Sequence, residues 1–257
     1  MARERYLLGA GEDTIHTGAI VPETGREKRA NWWFYHKVHL LVALIMAGVL
    51  FSIVYSIVSQ VEPDYTIGLI TSYNMPDEAR AQMEAHMARY GRDRNGDGRV
   101  VVQINNYVFA SEMKTTTDYQ AIQASMTRFA GDTALNECMI YFHDEAGFDS
   151  LRENFSGFFQ YNDGSPMPEE AADYENAMRT WDELRGFDDF APELSGINNW
   201  TPGILLKLCG RLRFSVRTAE NASFAQDEEE MAYYRDSLEL LDRLLSGEKP
   251  PAPEGTE

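Results

Sequence analysis

The chain predicts an α/β protein: one N-terminal transmembrane helix, then a three-layer, Rossmann-like domain with a mainly parallel sheet of about four to five strands. Three observations carry this expectation. Residues 40–58 run LLVALIMAGVLFSIVYSIV without a formal charge. After residue 61, three apolar strand-like runs are each followed by a helix-like stripe, the order that parallel sheets covered on both faces require. A last amphipathic pattern near residues 227–245 supplies one more helix to cover the sheet.

Nineteen helical residues rise about 28 Å, the hydrocarbon thickness of a bilayer. Ser52 and Ser56, the strongly polar members of the run, can return their hydroxyls to the preceding turn. Immediately before it, Trp32, Trp33, Phe34, Tyr35, His36 and Lys37 suit the headgroup layer. Arg26, Lys28, Arg29 and Lys37 precede the run, whereas no Lys or Arg falls between Val61 and Ala79, so the positive-inside rule puts the N-terminus in the cytosol. Cleavage as a signal peptide is the competing reading, but the run is longer than a usual h-region. The predicted organisation is a cytosolic tail over 1–38, mostly disordered and ending in the aromatic segment, a membrane helix over 39–60, an extracytoplasmic α/β domain over 61–247 and a disordered Pro-rich tail over 248–257.

Charge divides at the same point. The chain has 41 acidic and 23 basic residues; the first 38 positions hold five and six of these, leaving 36 acidic and 17 basic residues beyond the membrane run, about −19 in all. Such a surface repels polyanions, which excludes nucleic acid as a partner and argues against direct adhesion to anionic headgroups. The partners left are the bilayer through residues 39–60, a small solute, or an envelope protein. Cys138 and Cys209 both fall outside the cytosol, either as a bridge or as two buried thiols.

Within the domain, YTIGLIT at 65–71 reads as a buried strand, and Pro76-Asp77-Glu78 starts a helix that stops by Gly91, with Ala79, Met83, Met87 and Tyr90 as its packing stripe. A second strand over 99–105 precedes a helix over 118–129, and a third, CMIYFH at 138–143, precedes a helix from about Phe148. Residues 169–185 are expected to be helical, and a fourth strand is expected over 212–218. Met231, Tyr234, Leu238, Leu241 and Leu245 form the stripe of the final helix, which docks on the domain's own sheet.

Two groups of residues are candidate sites. Ser72 and Asn74 follow the first strand, Asn105 and Asn106 the second, and His143 and Asp144 the third, a polar rim at the carboxyl edge where open α/β sheets place ligands. Asp144 also suits a helix cap. The second group is Asp93, Asn95, Asp97 and the carbonyl of Arg99, spaced like the opening of a calcium loop. Its twelfth position is Ile104 rather than Glu, and Arg92, Arg94 and Arg99 oppose a cation, so a tight helix-to-strand connection is the first reading and Ca2+ the second. No other cofactor is expected. Neither GxSxG, HExxH nor a P-loop occurs, and the protein is read as a non-enzyme. Sequons begin at Asn154, Asn199 and Asn221 and look incidental.

The segments ERYLLGAGEDTIH, WWFYHKVHLL, PDYTIGLIT and GRDRNGDGRVVVQINNYV together resemble an uncharacterised family of single-pass membrane proteins of Gram-positive anaerobes, over about the first half of the chain. The resemblance implies an extracytoplasmic domain similar to one lobe of solute-binding proteins and brings no site residues with it. Two functions follow as expectations: binding of a small solute or peptide at the strand-end rim, or a non-catalytic interaction module of an envelope complex.

Overall fold

The computed structural model describes residues 24–58, 62–109, 116–195 and 200–251, and the chain divides into two compact units, 1–60 and 61–257. The first unit holds α1 (Gly25–Val58), one helix of 34 residues. Residues 25–38, expected within a mostly disordered tail, are therefore helical. Arg26, Glu27, Lys28, Arg29 and Ala30 are good helix formers, and the apolar helix that follows supplies the nucleus that so short a segment lacks alone. From Trp32 to Tyr55 the large apolar side chains stand between 39% and 72% exposed. The helix is long and apolar enough to cross a membrane.

The second unit contains, in order, β1 (Tyr65–Thr71), α2 (Asp77–Ala88), β2 (Val102–Val108), α3 (Thr116–Ala134), β3 (Cys138–His143), α4 (Glu145–Leu151), β4 (Arg179–Thr180), α5 (Pro202–Cys209), β5 (Arg213–Val216) and α6 (Glu228–Ser246). The sheet order is β2-β1-β3-β5-β4. Strand β1 runs parallel to both β2 and β3, whereas β5 is antiparallel to β3 and to β4, so the five-stranded sheet is mixed. Only Gly210, Arg211 and Leu212 separate α5 from β5, and backbone bonds from Arg211 to Leu208 and from Leu212 to Cys209 keep that turn tight. Strand β5 consequently starts at the edge where β3 ends, with Arg213 opposite His143.

Side chains alternate across the sheet, and the core follows that alternation. Tyr65, Ile67 and Leu69 of β1 join Ile140 and Phe142 of β3 in a cluster with Met83 and Met87 of α2, Leu205 of α5 and Leu240 of α6. Ile70 and Tyr141 join instead with Tyr107, Phe148, Phe155 and Phe159. Each fully buried Leu, Ile or Phe contributes about 1.5–3 kcal/mol relative to exposure. Gly68 has a packing role: a Cβ there would lie 2.4 Å from the Tyr141 ring.

The sheet is thus not mainly parallel as expected, because β5 returns antiparallel through the tight turn after α5, and three further elements differ from expectation. Strand β2 lies three residues later than 99–105. The buried Asp64 carboxylate accepts from the amides of Arg94, Asn95 and Val101 at 2.7, 3.2 and 2.8 Å, which holds Val101 ahead of the ladder, and pairing then runs from Tyr65↔Val102 to Thr71↔Val108. Residues 169–185 are not one helix but short 3-10 turns around β4. Asn162 donates its backbone amide to the Asn176 carbonyl at 2.8 Å and its side-chain amide to the Met178 carbonyl at 3.0 Å, which takes these carbonyls out of any helical ladder. The last helix buries Tyr234, Ser237, Leu240, Leu241 and Leu244, a face rotated from the predicted one, with Met231, Leu238 and Leu245 half-buried. Its ends are well made: Asp227 accepts from the amides of Glu229 and Glu230 at 2.9 and 3.0 Å, and Gly247 closes it at φ +78°.

Candidate functional site

A cleft of about 580 Å³ opens at the carboxyl edge of β1 and β3. Ser72 and Tyr73 come to it from β1, Asp144 and Glu145 from β3, Thr180 and Asp182 from the end of β4, and Arg211 and Arg213 from the turn into β5. Its geometry is built around Asp144. One carboxylate oxygen accepts from the Ser72 amide at 2.9 Å and the Ser72 hydroxyl at 2.7 Å, while the other accepts from the Gly147 amide at 2.6 Å and caps α4. The Asp144 amide in turn donates to Ile70 at 3.0 Å. Gly147 is needed for this closeness, because a Cβ would meet the Ile70 carbonyl oxygen and the Asp144 carboxylate at 2.8 Å.

Tyr73 stands differently. Its hydroxyl is buried and has no hydrogen-bond partner among the described residues. The ring packs on Trp200 at 5.9 Å between centroids, and the backbone is held from below by the Thr71 hydroxyl, which donates to the Tyr73 carbonyl at 2.6 Å. Burial first, then the Asp144 carboxylate, push the phenol well above its usual range, so it stays protonated as a donor. Arg211 and Arg213 are exposed, and among the described residues neither has a carboxylate at ion-pair distance. With Glu145 and Asp182 in the same walls, the cleft presents both signs of charge.

The residues singled out in the sequence are only partly brought together. Ser72 and Asp144 line the cleft; Asn74 is exposed and outside the lining. Asn105 and Asn106 lie inside β2 rather than after it, because the strand is displaced, and both are scaffold. Asn105 donates to Asp132 at 2.9 Å and accepts from Arg128 at 2.6 Å and Gln103 at 2.7 Å. Asn106 donates to Leu69 and to the Thr71 hydroxyl oxygen and accepts from the Met75 amide at 2.8 Å, shaping the loop that carries Tyr73. His143 is buried, 3.1 Å from the Ser215 hydroxyl and 4.8 Å from the Phe148 ring centroid. It borders a neighbouring 280 Å³ pocket, and Glu145 and Arg213 line both spaces. Arg211, Arg213, Thr180 and Asp182 were missed in the sequence. Arg211-Leu212-Arg213, two cations alternating into a strand of a strongly acidic domain, is the pattern that marks two of them.

The loop at 93–98 uses its oxygens on its own backbone. Asp93 accepts from the amides of Gly96 and Gly98 at 2.7 and 2.8 Å, Asn95 from Asp97 at 2.9 Å and Asp97 from Arg99 at 2.8 Å. Gly96 and Gly98 turn at φ +75° and +84°, where glycine is at no steric cost. Among the described residues no three His, Cys, Asp or Glu side chains are placed to hold a metal. Cys138 and Cys209 are free thiols in different clusters, and burial pushes each up to about 12. Of the sequons, Asn199 lies outside the described residues. No protein-family model, curated protein or solved structure matches the chain.

Proposed function

We propose that this is a membrane-anchored binding protein: α1 crosses the bilayer with the N-terminus in the cytosol, and the acidic domain, a Rossmann-like three-layer fold, takes a small zwitterionic solute or a peptide end in the carboxyl-edge cleft. The single observation behind this reading is the Tyr73 hydroxyl, buried at that cleft without a partner among the described residues. A buried hydroxyl left unsatisfied costs about 1–3 kcal/mol, which a ligand atom recovers. Arg211 and Arg213 offer planar donor forks to a carboxylate, Glu145 and Asp182 offer acceptors to an ammonium group, and the volume falls in the range of small-ligand sites. The reading is binding without catalysis, because the Ser72 hydroxyl is already bonded to Asp144 and the His143 imidazole is turned to Ser215. Resemblance to one lobe of solute-binding proteins points the same way.

The test is thermal unfolding of the detergent-solubilised full-length protein with glycine, glutamate, lysine and dipeptides, and with glucose as the uncharged control. Zwitterions should raise Tm and glucose should not. Tyr73→Phe should stabilise the free protein by about 1 kcal/mol and weaken the ligand response, since it removes the orphaned hydroxyl and keeps the ring. If no zwitterion shifts Tm, solute binding fails. A tag at the C-terminus should be cut by protease on intact cells; cutting only after lysis overturns the topology. An envelope interaction module is the second reading, favoured by Ile204 and Leu206 standing 43% and 42% exposed on α5, beside the cleft. It gains if zwitterions are silent while photo-crosslinkers at these two positions capture one envelope protein.

A further inference from the structure

Two arginines of the domain are buried, and they are treated differently. Arg243, 8% exposed, is paired with Glu239 through Nη2 and donates to the Tyr90 carbonyl at 3.1 Å through Nη1. Arg217 is equally buried at 8%, yet among the described residues no carboxylate lies at ion-pair distance from it. Its guanidinium is sandwiched between Phe158 and Phe224, 5.1 and 5.0 Å from the ring centroids, and among the described residues its one hydrogen bond is from Nη1 to the Thr133 carbonyl at 3.4 Å. A guanidinium carries five N–H donors and keeps its charge in proteins, so most of this group's donors have no acceptor among the described residues. Burying such a charge unpaired is costly.

The backbone fixes it there. Arg217 continues β5, donating its amide to Met139 at 2.9 Å and bridging Phe159, which fixes its Cα within the sheet while the two phenylalanine rings hold the guanidinium. It opens into a pocket of about 440 Å³, separate from the cleft, that also presents the Thr218 hydroxyl and the Asn221 amide. The Thr218 oxygen accepts from the Glu220 amide at 3.2 Å, which leaves its O–H free to donate inward. Glu169 and Glu220 are exposed at the rim and disfavour a doubly charged guest.

We propose that the Arg217 pocket is a second binding site, independent of the carboxyl-edge cleft, that takes a singly charged carboxylate group, with Arg217 as the buried fork and Thr218 and Asn221 as flanking donors. A planar carboxylate matches the fork in bidentate geometry. The flanking phenylalanine faces keep water from screening the pair.

The experiment uses the full-length protein in detergent at constant ionic strength, with acetate, phosphate or chloride as probes. Acetate at about 50 mM should raise Tm by about 4 °C over chloride, with phosphate giving less. Arg217→Met should fold and lose the acetate response, while Arg211→Ala/Arg213→Ala should keep it, which separates this site from the cleft. An equal shift with chloride, or an acetate shift that survives Arg217→Met, overturns the site. Should Arg217→Met fail to fold, wild-type protein is treated with phenylglyoxal and mapped by mass spectrometry. Several-fold slower modification of Arg217 in acetate than in chloride supports the site, and equal rates overturn it.

Discussion

Arginines stand at both ends of β5, Arg213 as its first residue and Arg217 directly after its last, and the two are used in opposite ways. Arg213, at the carboxyl edge, stands in solvent beside an open cleft, opposite the buried and neutral His143. Four residues on, about 13 Å along an extended strand, Arg217 is enclosed between two phenylalanine rings with one long hydrogen bond. An exposed cation is solvated whether or not a ligand comes, so its removal touches recognition and little else. A buried one without a counter-charge weakens the fold until something binds.

The comparison breaks most visibly with acid. Burial first, and the neighbouring Arg213 charge second, push His143 down to about 3 from an ordinary 6.5. The unfolded chain takes up this proton near pH 6.5 and the native fold only near 3, so the stability that neutral His143 supports is complete above about 6.5 and is lost as pH falls toward 3. The slope is about 1.4 kcal/mol per pH unit inside that window. Stability measured in urea from pH 7 to 5 should show it, and His143→Gln should flatten it in part, since buried His86 is depressed in the same direction. Next in size, Asp144→Ala frees Ser72 and the first turn of α4, with an expected loss of about 3 kcal/mol by denaturant midpoint and loss of any cleft response. Arg243→Met should cost about 1–2 kcal/mol by removing a buried guanidinium that is satisfied by the half-exposed Glu239 and the Tyr90 carbonyl, whereas Arg217→Met should change ligand-free stability by less than about 1 kcal/mol. Equal losses at 243 and 217 would erase the distinction between paired and unpaired burial. Smallest of all, Arg211→Ala/Arg213→Ala should leave the midpoint within about 0.5 kcal/mol while abolishing the zwitterion response.

Much of the scaffold was legible. The runs at 65–71 and 138–143 are apolar on both faces and became β1 and β3; Pro76-Asp77-Glu78 opened α2; Asp144 took the capping role its place before a helix suggested. The polar rim was less so. Asn105 and Asn106 follow three valines and look like a strand's end, but the strand's position is decided by Asp64 and by pairing with β1, neither of which is local. Residues 169–185 carry helix formers, and buried Tyr174, Ala177 and Leu184 even keep a helical spacing, yet the bonds of Asn162 to the Asn176 and Met178 carbonyls and the pairing of β4 with β5 break the stretch up. Tyr73 lies between Ser72 and Asn74 of the expected rim, but its unsatisfied hydroxyl is invisible in the sequence, because satisfaction is a property of neighbours distant along the chain.

Local chemistry alone sufficed for the uncharged helix of residues 40–58, the acid excess beyond it, and the alternation of strand and helix, because each depends on residues adjacent in the chain. Which side chains face which space followed from packing: the displacement of β2 turned two asparagines into scaffold, and the antiparallel return of β5 set Arg213 in a cleft and Arg217 in the interior. A strand's direction and register are set by partners that fold onto it, and a shift of one residue sends every side chain to the other face.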